Sequence, residues 1–159
     1  MVNGANLAIR AGLLETSLMC LPAGMISPIK ESIMGKYGEA AVRAVGLYVS
    51  GKASSIVDAW EIVAREILST ESTQRKSCPR TTFLGVCESG IVIGVPAGEY
   101  NTRLTTNKQY GLKAIALLQR NPQLANDQTL LWEKIGNAAI NPNSQMDVIT
   151  GLWANGLIK

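Results

Sequence analysis

The phrase GVCESGIV at 85–92 returns as GLWANGLI at 151–158. Each is an apolar stretch closed by a glycine, Gly90 or Gly156, with Ile91 or Leu157 following at once. Glycine accepts the left-handed backbone that ends a helix, and the aliphatic residue after it folds back onto the last turn. A chain that writes this ending twice is built from helices that stop abruptly. The context upstream is also doubled. KYGEAAVRAV begins at Lys36 and QYGLKAIALL at Gln109, which matches Tyr37 with Tyr110, Gly38 with Gly111, Ala41 with Ala114 and Val42 with Ile115. Trp60-Glu61 and Trp132-Glu133 follow in the same order. Ordered matches of this kind are the signature of internal repetition. The reading is two tandem, related three-helix units, about 34–92 and 107–158, forming one compact domain over 34–159.

Composition supports an all-α fold. The chain has 159 residues, 47% of them hydrophobic, but only one Phe, three Trp and four Tyr. Interior volume therefore comes from aliphatic residues and Ala, most of which favour helices. The first helix of the leading unit aligns Tyr37, Ala41, Ala44 and Tyr48 on one face and stops at Gly51. Ser55-x-x-Asp58 resembles a capping box for the second helix, which presents Ile56, Trp60, Val63 and Ile67. STESTQRKS reads as a loop, and Pro79 suits the first position of the third helix. In the second unit Thr106, Asn126 or Asp127, and Ser144 with Asp147 three residues on are the expected caps. Between the units, IVIGVPAGEYNTRLTT predicts a short extended or hairpin segment. Residues 1–33 carry a stripe of Leu7, Ala11, Leu14 and Leu18, which predicts an N-terminal helical arm that packs on the domain or on a second copy.

The absence of histidine excludes the most chemistry. It removes Ser-His and Cys-His nucleophile pairs, imidazole acid–base catalysis and His-ligated zinc. No Gly-rich phosphate loop is present: SGIVIGVPAG lacks the GxxxxGK and GxGxxG spacings. The reading therefore includes no cofactor and no metal. Three cysteines at irregular spacing, Cys20, Cys78 and Cys87, make no disulfide framework. Glu15 interrupts the apolar opening, and no run of about 18 apolar residues exists, so the sequence predicts a cytoplasmic protein without a membrane span.

Several residues are candidates for a site. Cys78 sits where a third helix starts, beside Arg75, Lys76 and Arg80. A helix N-terminus and nearby cations favour thiolate, which makes Cys78 a candidate reactive thiol. Without a recognisable base, a Cys tolerated at a cap is the plainer reading. Cys87 lies nine residues on, half a turn out of alignment at about 100° per residue, and reads as core. The Tyr and Trp pairs also read as core. Arg80, Glu88, Gln145 and Asp147 fall on or near the third helices and form a candidate pocket or interaction face between the units; a solvated helix face is the bland alternative. Arg80 and Arg103 are the candidate nucleic-acid contacts of a helix-plus-hairpin surface. The net charge of +3 has no strongly basic block behind it, and a dedicated nucleic-acid surface usually shows one.

From about Met34 onward, KYGEAAVRAV, AWE, SCPRTTFLGVCESGIVIGVPAGEY, NKQYGLKAIALL, LLWEK and NSQMDVITGLWANGLI resemble an uncharacterised family of small bacterial proteins, a domain of unknown function. The resemblance brings no activity, cofactor or site residue. It leaves 1–33 outside, the kind of variable extension found on a mobile gene-cassette product. The leading expectation is thus a non-enzymatic binding or interaction protein that meets a protein partner, a small ligand or a second copy of itself. A DNA-associated regulator and a thiol-based enzyme or redox sensor at Cys78 are the alternatives.

Overall fold

The computed structural model describes residues 34–100 and 105–159. The N-terminal arm and Arg103 lie outside the described residues. What is described is all-α. The helices are α1 (Lys36–Val49), α2 (Ile56–Ile67), the one-turn α3 (Glu71–Gln74), α4 (Ser77–Glu88), α5 (Thr106–Arg120), α6 (Gln128–Trp132) and α7 (Gln145–Ala154). A 3-10 turn at Pro122–Asn126 leads into α6, and a π turn at Glu133–Asn137 follows it.

Local signals account for most helix ends. The Ser55 hydroxyl accepts the Asp58 N–H at 3.0 Å, as expected, but the Asp58 carboxylate turns back to the Ser54 N–H, so only half of the capping box forms. The polar stretch after α2 is not wholly a loop. Thr70 and Thr73 cap each other reciprocally and nucleate α3, with a threonine in the place usually held by Glu or Gln. Helix α4 begins at Ser77, so Pro79 is its third residue rather than its first. That position still lacks an intrahelical acceptor for its N–H, so proline costs nothing there. Gly51, Gly90 and Gly156 have φ of 78°, 79° and 71° and close α1, α4 and α7. Asp127 caps α6 through the Leu130 N–H at 2.9 Å. Two expected caps are absent: α5 starts after Thr105 with no side-chain cap, and the Ser144 side chain caps nothing.

Pro79, Thr81 to Cys87 on α4 and Gln145 to Leu152 on α7 are buried on nearly every side. Helices without an exposed face belong at the centre of a bundle. There α4 and α7 touch, while α1 and α5 lie along them. The pairing is crosswise: α1 packs on α7 and α2, and α5 packs on α4 and α7. Glycines permit the closest approaches. A Cβ at Gly151 would sit 2.7 Å from the Gly38 Cα, and one at Gly85 would sit 2.5 Å from the Lys108 Cβ. Trp60 stacks on Phe83 with centroids 5.1 Å apart, joining α2 to α4, and both rings are fully buried. Val92 forms a lone antiparallel bridge with Ile158. It is secured by the Ile93 N–H to the Leu157 carbonyl at 2.8 Å and the Lys159 N–H to the Ile91 carbonyl at 3.0 Å. Ile91 to Ile93 of the linking segment therefore pair with the end of the chain, and the segment's residues 101–104 lie outside the described residues. Among the described residues, no helix is long and apolar enough to cross a membrane.

Candidate functional site

The start of α1, helix α6 and the entry to α7 enclose a half-open cleft of about 340 Å³. Its lining is Gly35, Gln128, Thr129, Pro142, Ser144, Met146 and Asp147. Small-molecule sites begin at about this size.

Asp147 forms the floor. Helix α1 enters from Gly35, which has no side chain to satisfy the first N–H groups. Those groups need acceptors, and the positive end of the helix dipole favours an anionic one. Asp147 supplies both from α7. Its Oδ1 accepts the Gly35 N–H at 2.8 Å, and its Oδ2 accepts the N–H groups of Tyr37 at 3.0 Å and Gly38 at 2.9 Å. The Gln128 amide donates to Asp147 Oδ1 at 3.4 Å and to the Thr150 hydroxyl at 3.1 Å. A carboxylate has about four acceptor positions, and here protein donors take them. Each oxygen of Asp147 thus accepts two protein donors.

One wall is formed by Pro142 and Ser144 of the stretch 138–144, which is exposed over 138–142 and half-buried at Asn143 and Ser144. The Trp132 indole N–H donates to the Ile140 carbonyl at 2.7 Å, and the Ile140 N–H donates to the Asn137 carbonyl at 2.9 Å. Lys76 donates to the Ser144 hydroxyl at 3.3 Å and lies 5.2 Å from the centre of the Tyr37 ring. This single ammonium ties the start of α4 to α1 and to the cleft rim.

Burial, then the charge of Asp147, raises the Tyr37 phenol above its usual value. Its hydroxyl also donates to the Thr73 carbonyl at 3.0 Å. In the unfolded chain the phenol ionises near 10, before the folded one does. This contribution to stability is therefore complete below about pH 10 and is lost as the pH rises toward the folded value. Tyr37→Phe should show a shallower loss of denaturation midpoint between about pH 9 and 11 than the wild type. Parallel losses in the two proteins would refute the assignment.

The model of DUF6979, a family of unknown function, matches residues 34–159. The chain belongs to this family. No curated protein and no solved structure matches it. The DUF6979 segment begins at Met34, so the whole cleft falls inside it and residues 1–33 fall outside.

Within the DUF6979 segment, the four polar residues picked from the sequence as one pocket are not brought together. Only Asp147 lines the cleft. Arg80 Nε donates to Glu61 on α2 at 2.8 Å. Glu88 sits about 12 Å farther along α4, where it pairs with Lys108 at 3.2 Å and accepts the Tyr100 N–H at 2.8 Å. Gln145 is buried and donates to Asn107 at 3.1 Å, and Asn107 donates to Thr81 at 2.9 Å. This chain of side chains stitches α7 to α5 and α4. Of the two candidate nucleic-acid contacts, Arg80 is thus ion-paired and Arg103 lies outside the described residues.

Cys78 is half-buried and is the second residue of α4, two places inside the N-cap Lys76. Its carbonyl accepts the Thr82 hydroxyl at 2.8 Å. Cys87 is core, as expected, and burial pushes its thiol up, with Glu88 adding to the shift. No metal-binding cluster occurs among the described residues.

Sequence reading missed most of the cleft: Gly35, Gln128, Thr129, Pro142 and Met146, with Lys76 at its rim. One signal was available. MGKYGEAA offers no Ser, Thr, Asp or Asn at the start of α1, and a helix without its own cap must borrow one. Which residue lends it depends on tertiary packing.

Proposed function

We propose that the chain is a binding protein whose recognition site is the cleft between the start of α1, α6 and α7, and that it performs no chemistry there. The observation that carries this reading is the commitment of Asp147. The one carboxylate in the cleft is occupied by backbone and Gln128 donors, while the walls offer the hydroxyls of Thr129 and Ser144 beside the carbons of Pro142 and Met146. A few placed polar groups among apolar ones is the composition of a small-ligand site. The missing histidine and the odd cysteine count suit a non-catalytic protein of the reducing cytoplasm.

The crosswise packing supports reading 34–92 and 107–158 as related copies. Val92 and Ile158 occupy equivalent places in the repeated phrase and pair with each other. Thr81 and Asp147 are also equivalent, and each accepts from the start of the other stretch's first helix, Thr81 from Asn107 and Asp147 from Gly35. In this reading one of two equivalent positions is filled by the Gln145–Asn107–Thr81 network and the other is left open as the cleft.

A thermal-shift screen of a metabolite library against the full chain tests the function. Thr129→Trp is the matched variant, because Thr129 is exposed on the cleft wall and an indole there fills the space. Hits that raise the wild-type midpoint and lose their effect in Thr129→Trp are expected. A hit list that is empty, or identical for both proteins, would refute the cleft as the recognition site.

A further inference from the structure

We propose that residues 138–144 act as a gate on the cleft, swinging between hinges at Gly136 and Ser144; this rests on the reading of the cleft as a binding site. Two backbone positions bracket the stretch. Gly136 has φ 100° inside the π turn, and Ser144, with φ 72°, is the one non-glycine residue in the left-handed region among the described residues. Residues 138–142 between them are exposed, while Pro142 and Ser144 form cleft wall. The gate therefore covers ligand space and no core. The helical backbone is already broken at Gly136, in the left-handed conformation that glycine adopts without steric cost.

Few bonds hold the gate, and two features oppose them. The latches are the Trp132 indole on the Ile140 carbonyl, Lys76 on the Ser144 hydroxyl, and the Asn143 N–H on the Gln145 side chain. Against them stands the steric cost of a left-handed serine, whose Cβ crowds the following carbonyl. At the root, Asn137 is buried and its amide nitrogen has no partner. A buried donor without an acceptor costs its full desolvation, and swinging the gate outward lets water supply the missing bond. The stretch thus has bonds to lose and strain to shed in one motion. Trp132 itself is fixed by its edge-on contact with Tyr110, centroids 5.1 Å apart, so the ring stays while the carbonyl departs.

The Trp132 indole proton reports the motion. Hydrogen exchange of the indole N–H groups would be followed by NMR on the full chain, with Trp→Phe variants for assignment. Trp60 is the internal reference, since its ring is fully buried between α2 and α4. The expected result is exchange at Trp132 at least about a hundredfold faster than at Trp60, and insensitive to low denaturant, as local opening requires. Lys76→Met should speed it. Exchange of Trp132 together with Trp60, at the same denaturant dependence, would overturn the gate whatever the ligand screen gives. Local opening at Trp132 with an empty screen would keep the gate and remove the binding reading.

Discussion

Asp147→Ala should destabilise the protein by about 3–5 kcal/mol. Three α1 N–H groups and the Gln128 amide lose their acceptor together. Hydrogen bonds to a charged group contribute about 1.5–3 kcal/mol each, and a buried donor left without a partner costs a further penalty. The losses are not additive, because Gly35 is exposed and water reaches its N–H from the cleft, so the total falls below the simple sum. Asp147→Asn keeps one carbonyl oxygen and should lose about half as much. Guanidinium unfolding of the three proteins measures this directly. A domain of this size is stable by only about 5–15 kcal/mol, so the alanine variant should approach the folding threshold. If Asp147→Ala stays within about 1 kcal/mol of the wild type, the cap is not a principal support of α1.

Gly151→Ala should also be strongly destabilising, by about 2–3 kcal/mol. Alanine is ordinarily the better helix residue by about 1 kcal/mol. Here the new methyl would meet the Cα, carbonyl carbon and oxygen of Gly38 at 2.7, 3.1 and 3.1 Å. These are backbone atoms, so no side chain can swing aside and α1 must move off α7. Because Asp147 reaches α1 from the same helix, separation also stretches the cap. Gly46→Ala in α1 is the control, since a Cβ there meets nothing within 4 Å. The same substitution should stabilise at Gly46 by about 0.5–1 kcal/mol. Equal effects at the two sites would show that the helix contact is looser than described.

These two variants mark what the sequence could and could not disclose. Apolar spacing, the stops at Gly51, Gly90 and Gly156, and the Ser55 cap depend on neighbours a few residues away, so the all-α class and most helices were legible. Trp60, Trp132 and Cys87 read as core for the same reason. The cleft was not legible, because Asp147 is a local capping residue by sequence and a remote one in space. Ser144-x-x-Asp147 resembles a box for α7, yet Ser144 takes the left-handed backbone and Asp147 turns to α1. Nothing local distinguishes the two outcomes; the competition is decided by which unsatisfied N–H groups lie nearest once α1 and α7 have packed. Glu88 and Arg80 were grouped with it by position on the third helices, but their partners lie on α5 and α2.

The borrowed cap also orders events on the ribosome. Domains generally fold as units during synthesis, with N-terminal parts first. In this chain α1 emerges early but meets its cap and its closest packing surface only when α7 follows. Until then its leading N–H groups are satisfied by water, and the Gly38 face is bare. Translation of the first three helices therefore yields a nascent chain that cannot close, and completion waits for a residue more than a hundred positions downstream. Chaperone contact during that interval should be strongest on chains stalled after α5 and should fall away once α7 has left the tunnel.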